Sequence, residues 1–167
     1  KLILKIKKLR NHGRKTKYSH DMVGFNYRAD SLQAKFLLIK LKYLQRWTNL
    51  RIKKSNIYKK HLKENENISF VKTNKNSKNV YHLFVIILKS KKIRDNLIKF
   101  LLKKNIQTLI HYPIPCHKQL AFSKISKQAL PISEDYSNRI MSLPLCQFTT
   151  DKDIFRISNL INNYFNV

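Results

Sequence analysis

Glycine is almost missing from this sequence: Gly13 and Gly24 are the only two in 167 residues. Gly-rich phosphate loops and dinucleotide-binding turns need several closely spaced glycines to bring backbone N–H groups against a ligand. Neither is present. Cysteine is as scarce, and Cys116 and Cys146 are too few and too far apart for a disulfide framework. A reducing, cytoplasmic setting is the expectation. Acidic side chains number 9 against 35 lysines and arginines. No apolar run approaches the roughly 20 residues that span a bilayer; the longest covers residues 83–88. No membrane partner is expected. The chain starts at Lys1, and "KLILKIKKLR" has no small-residue cleavage site of a signal peptide. It reads as the remainder of something longer.

A hydrophobic content of 43% is enough to bury a core. The net charge of +26 raises the question of a polyanionic partner. Yet the basic residues are spread from end to end, and lysine far outnumbers arginine, the better reader of bases and phosphates. Compositional bias is the simpler account, and a nucleic-acid partner is not favoured.

Leu2, Ile3, Ile6 and Leu9 are spaced like one face of a short helix, with Gly13 as a C-cap. The loop "YSHDMVGFNYR" follows, with Gly24 its expected positive-φ position. Asp30 and Gln33 form a capping box. Beyond them Leu32, Phe36, Ile39, Tyr43, Trp47 and Leu50 make a long apolar stripe, with Lys35, Lys42, Arg46, Lys53 and Lys60 on another face. The helix is expected to reach His61 or Leu62, about 45 Å at 1.5 Å per residue. That length suits a connector between domains. "ISFVK" and "VYHLFVIIL" read as strands around a turn-prone "TNKNSKN". Ser90 caps a helix, "QTLIHY" reads as a strand ended by Pro113, "PISEDYSNRIMS" as a helix and "LPL" as extended. Thr150 and Asp153 cap a last helix. The expected division is 1–62, ending in the long helix, and 63–167, a small α/β or α+β domain.

The cluster "HYPIPCHKQ" holds His111, Tyr112, Cys116 and His117. Metal sites need their ligands in closely spaced pairs, and adjacent Cys116 and His117 have no second pair beyond a chance recruitment of His82 or Cys146. No metal is expected. A Cys–His nucleophile would need a third orienting group that the neighbourhood lacks, so Cys116 is read as packing.

Three ordered segments carry a resemblance: "LRNHGRKTKYSHDMVGFNYRADSLQA", "YHLFVI…RDNLIKFLLKKNIQTLIHYPIPCHKQ" and "LPISEDYSNRIMSLPL". Over nearly the whole chain they resemble the C-terminal half of the DegT/DnrJ/StrS sugar aminotransferases. These are pyridoxal-phosphate (PLP) enzymes that aminate keto-sugars attached to a nucleotide. The resemblance implies a fragment of a fold type I PLP-dependent transferase: its small C-terminal α/β domain plus the long connecting helix. It also implies a homodimer with the active site at the subunit interface, and glutamate as amino donor. The form of "HYPIPCHKQ", "LPI" and "SLPL" is most similar to members that aminate C3 of a dTDP-linked 3-keto-6-deoxyhexose.

By the same resemblance, Asn26 reaches the partner subunit's PLP phosphate, to which its NH2 can donate. Arg28 fixes that loop or adds positive charge. His111 and Tyr112 line the sugar pocket. His117 joins them or only caps the following short helix, and His12 is structural. The lysine that holds the cofactor lies, in the family, in a glycine-rich segment just before "LRNHG". Lys1, Lys5, Lys7 and Lys8 are outside any such motif, so no catalytic residue is assigned. The chain alone is expected to be inactive and, with the helix's apolar face uncovered, prone to associate. Two rivals stand beside this reading. One is a sugar dehydratase of the same family, in which histidine replaces the lysine; the other is a basic small domain that binds nucleic acid.

Overall fold

The computed structural model describes residues 1–122 and 128–167. The chain divides into two compact units, Lys1–Gln45 and Arg46–Val167. The two units part inside the long helix, whose second half is built into the core of the second unit.

In the first unit, helix α1 covers Leu2–Leu9 and is capped by Arg10. Gly13 is not its C-cap. It lies beyond the helix in the left-handed region, φ +70, and its N–H returns to the Lys8 carbonyl at 2.8 Å. Gly24 also departs from expectation, since it is not among the positive-φ glycines. Its need is space: a Cβ there would lie 2.1 Å from the Gly13 nitrogen and 2.8 Å from the Leu9 carbonyl oxygen. The loop therefore folds tightly onto the end of α1. Phe25 N–H donates to Leu9 O at 2.7 Å, His12 N–H to Phe25 O at 2.9 Å and Tyr27 N–H to Arg10 O at 2.9 Å.

Helix α2 spans Ser31–His61, as its periodicity indicated. Asp30 Oδ1 accepts from Leu32 N–H at 2.7 Å, while Gln33 Oε1 accepts from Asp30 N–H at 3.4 Å. That is the expected reciprocal cap, shifted by one donor. The apolar stripe behaves differently. Leu32, Phe36 and Ile39 stay exposed, as do Leu37, Leu38, Leu41 and Leu44 off the stripe. The buried positions of α2 are Lys54, Ser55 and Tyr58.

The second unit is a three-stranded antiparallel sheet with helices packed on it. The strands are β1 (Ile68–Phe70), β2 (Phe84–Leu88) and β3 (Ile140–Leu143), in the order β1-β2-β3. Ile68 pairs with Leu88, and Val85 with Ser142. Helix α3 (Lys91–Lys103) starts at Ser90, whose hydroxyl accepts from Ile93 N–H at 3.2 Å. Helix α4 is Pro131–Arg139. Helix α5 (Asp151–Tyr164) begins with the full Thr150/Asp153 capping box. Tyr58, Phe84, Ile86, Leu97, Met141 and Ile161 are central to one core. Tyr58 stacks on Phe84 at 4.7 Å and donates to the Pro144 carbonyl at 2.9 Å. Burial pushes its phenol well above the usual range, with Asp153 adding to the shift.

Two local expectations are corrected. Residues 107–112 form no strand: one bridge joins Leu109 to Ser142. Pro113 and Pro115 take N–H donors from a ladder, so pairing ends there. Residues 140–142 are strand, not helix, because Ile140, Met141 and Ser142 pair with β2 in its central position.

Candidate functional site

Asn26 and Arg28 belong to the first unit, and His111, Tyr112 and His117 to the second. Asn26 forms a backbone bridge with Asn11, so the Gly13–Gly24 contact and the α1 cap set its position. Arg28 Nε donates to Asn26 Oδ1 at 3.0 Å. This turns the amide so that its NH2, like the Nη groups of Arg28, has no acceptor among the described residues. An amide NH2 beside a guanidinium is a donor set that fits phosphate oxygens. Phe25 and Tyr27 stack at 5.2 Å on either side of Asn26 in sequence. Lys8 is paired with Asp21, whose carboxyl that hydrogen bond holds below its ordinary range.

In the second unit, His111 and Tyr112 line a cleft of about 260 Å³ with Cys116, Ser133 and Tyr136. His111 Nδ1 lies 2.9 Å from Ser142 Oγ. The His111 and Tyr112 rings meet edge to face at 5.4 Å, across a cis peptide. Tyr112 is 71% exposed, so its hydroxyl is open to a ligand. Cys116, read as packing, is exposed and lines the cleft. Pro115 stands at the N-cap of the short turn Cys116–Lys118.

His117 is not in the cleft lining. Its Nε2 meets Glu134 Oε1 at 2.9 Å, and the same oxygen accepts from Leu130 N–H at 3.1 Å. Glu134 thus ties the Cys116–Lys118 turn to the start of α4. The His117 hydrogen bond, then that of Leu130, holds its carboxyl down at about 2. Ser142 and Glu134 were not singled out from sequence. The one available signal was polar Ser142 amid the apolar run "IMSL".

Among the described residues no group of three or more His, Cys, Asp or Glu side chains is placed to hold a metal. No helix is long and apolar enough to cross a membrane. A larger groove of about 1140 Å³ near Lys59, Lys72 and Tyr81 contains none of the candidate residues.

The DegT/DnrJ/EryC1/StrS aminotransferase family model matches residues 1–162, and the chain belongs to that family. It is 38% identical over 156 residues to the dTDP-3-amino-3,6-dideoxy-alpha-D-galactopyranose transaminase of Aneurinibacillus thermoaerophilus, covering 93% of this chain and 42% of the relative. It is 33% identical over 143 residues to the dTDP-3-amino-3,4,6-trideoxy-alpha-D-glucose transaminase of Streptomyces venezuelae, covering 84% of this chain and 37% of the relative. Among solved structures, S. venezuelae DesV in complex with a ketimine intermediate superposes with a TM-score of 0.86 at 30% identity. That match covers 98% of this chain and 44% of DesV. The chain thus spans less than half the length of the relatives it matches, and its mixed α/β fold is that of this part of PLP-dependent aminotransferases.

Proposed function

We propose that this chain is the C-terminal part of a cytoplasmic, homodimeric nucleotide-sugar aminotransferase that moves an amino group from glutamate to C3 of a dTDP-linked keto-deoxyhexose. The observation that carries the reading is the cleft in which His111 is pinned by Ser142 beside an exposed Tyr112. An imidazole and a phenol there present donors to hexose hydroxyls or diphosphate oxygens. The choice of C3 and of dTDP rests on the two transaminases above, both named for dTDP-3-amino sugars.

When bound, PLP supplies the electron sink that lets an amino group leave one carbon and join another. The residues of this chain hold and orient. Asn26 donates its NH2 to the phosphate of a partner subunit's cofactor, with Arg28 fixing the amide and adding charge. His111 and Tyr112 bind the sugar nucleotide. His117 acts on the same wall through Glu134, which sets the turn that follows His111 and Tyr112. The domain assignment that goes with this reading gives residues 1–62 to the cofactor-domain end, interface loop and connecting helix, and 63–167 to the small domain.

No lysine in the first unit stands in a glycine-rich segment, so the chain by itself is inactive. The test is to add PLP to the 167-residue chain and record its visible spectrum. The expected result is free cofactor only; a stable, protein-bound band that glutamate bleaches would overturn the claim. For the sugar site, dTDP-glucose should perturb the His111 and Tyr112 resonances and leave those of the groove near Lys59 unchanged. The reverse pattern would remove the assignment.

A further inference from the structure

We propose that Ser142 is a positioning residue for His111: its hydroxyl donates to Nδ1, so the ring presents Nε2–H, a donor, to the cleft. This rests on the proposed sugar-nucleotide site and adds to it the chemical sense of its central contact.

Ser142 is anchored on three sides. Its backbone pairs with Val85 in β2. On its other side Ser142 N–H donates to Leu109 O at 2.7 Å, and Leu109 N–H donates to Ser142 O at 3.3 Å. Its side chain meets His111 Nδ1 at 2.9 Å. One residue thus fixes both the backbone entering His111 and the ring itself. A ring so held keeps a single orientation at the cleft, which is what a binding group needs.

The direction of that hydrogen bond follows from burial. Ser142 is 6% exposed, and its Oγ has no partner among the described residues except His111 Nδ1. If Nδ1 carried the proton, the hydroxyl hydrogen would be buried with no acceptor, which is unfavourable. If the hydroxyl donates, Nδ1 is the acceptor and the neutral ring carries its proton on Nε2. Nε2 has no partner among the described residues and belongs to a residue that lines the cleft. The group that meets it is therefore an acceptor oxygen, of the diphosphate or of the hexose.

The test is long-range 1H–15N correlation of the histidine side chains in the 15N-labelled 167-residue chain, at a pH where the ring is neutral. Expected is an unprotonated, hydrogen-bonded Nδ1 and a protonated Nε2 for His111. In Ser142→Ala the Nδ1 resonance should move to that of a ring nitrogen without a hydrogen bond, and Ser142→Thr should restore it. A proton on Nδ1 in the unaltered chain overturns the proposal without recourse to any variant. So does an unmoved Nδ1 resonance in a folded Ser142→Ala. Adding dTDP and then dTDP-glucose separates the two ligand sources: a shift of Nε2–H with both identifies the diphosphate, and with the second alone the hexose. If neither shifts it, the sugar-nucleotide reading fails, while the Nδ1 and Nε2 resonances still decide the role of Ser142.

Discussion

In the first half of α2, leucine, isoleucine and phenylalanine face water; in the second half, a lysine and a serine are buried. Leu37 is 65% exposed, whereas Tyr58 on the same helix is 0% exposed. Lys54 is tolerated inside because its Nζ donates to the Gln147 carbonyl at 2.6 Å and lies 3.4 Å from that of Cys146. Arg51 makes similar contacts with the carbonyls of His82 and Leu145, both at 3.1 Å. Both arrangements follow from what surrounds the helix, and side-chain polarity alone would have ordered them the other way. Burial needs a partner surface, and in the second unit the sheet and α5 supply one.

The contrast can be broken most sharply at Tyr58. Tyr58→Ala removes a stacked, fully buried ring and should cost about 3–5 kcal/mol in urea unfolding of the chain. Tyr58→Phe removes only the bond to Pro144 and should cost about 1 kcal/mol. An alanine effect no larger than that of phenylalanine would mean the core does not close on α2.

Gly24→Ala tests the first unit on its own terms. The added Cβ meets backbone, which cannot swing aside, so the loop should loosen by about 1–3 kcal/mol. The reading is faster amide exchange at Phe25 and His12, with the second unit's amides unchanged. Equal exchange in both proteins would show that the Gly13–Gly24 contact does not hold the loop. Next in size, Thr150→Ala deletes half of a capping box in the second unit and should cost about 1 kcal/mol of thermal or urea stability.

Glu134 links the cleft wall to pH. Its folded pKa, about 2, lies below the ordinary 4.5. Its contribution is therefore present in full above pH 4.5 and is lost as pH falls toward about 2. Glu134→Gln should flatten that part of the melting-temperature profile and free the His117 ring. An unchanged profile would separate His117 from the α4 start. The smallest effect belongs to Leu37→Ser, within about 0.5 kcal/mol, because the side chain has little to lose. A cost like that of Tyr58→Ala would mean that a second copy of the chain covers this surface in solution.

The legible parts of the fold and site share one property, short range. The Asp30, Ser90 and Thr150 caps each join groups two to three residues apart, and the span of α2 follows from periodicity within a few turns. Three motifs in order pointed to the family, and the family match over residues 1–162 agrees. What could not be read were choices made by distant partners. Residues 140–142 looked helical and became strand because β2, more than 50 positions earlier, offered a ladder. Residues 107–112 looked like a strand and kept one bridge.

The sequence by itself determined the helix caps, the long helix, the two free thiols and the family, since each is written in neighbouring side chains or in ordered motifs. Tertiary structure alone decided that Gly24 is needed for space, and not for a left-handed turn. It also decided that His117 answers to Glu134, and that a serine 31 positions away holds the ring of His111. The physical reason is the same in each case. A hydrogen bond or a close approach is fixed by where two groups meet in space, and only the fold brings those groups together.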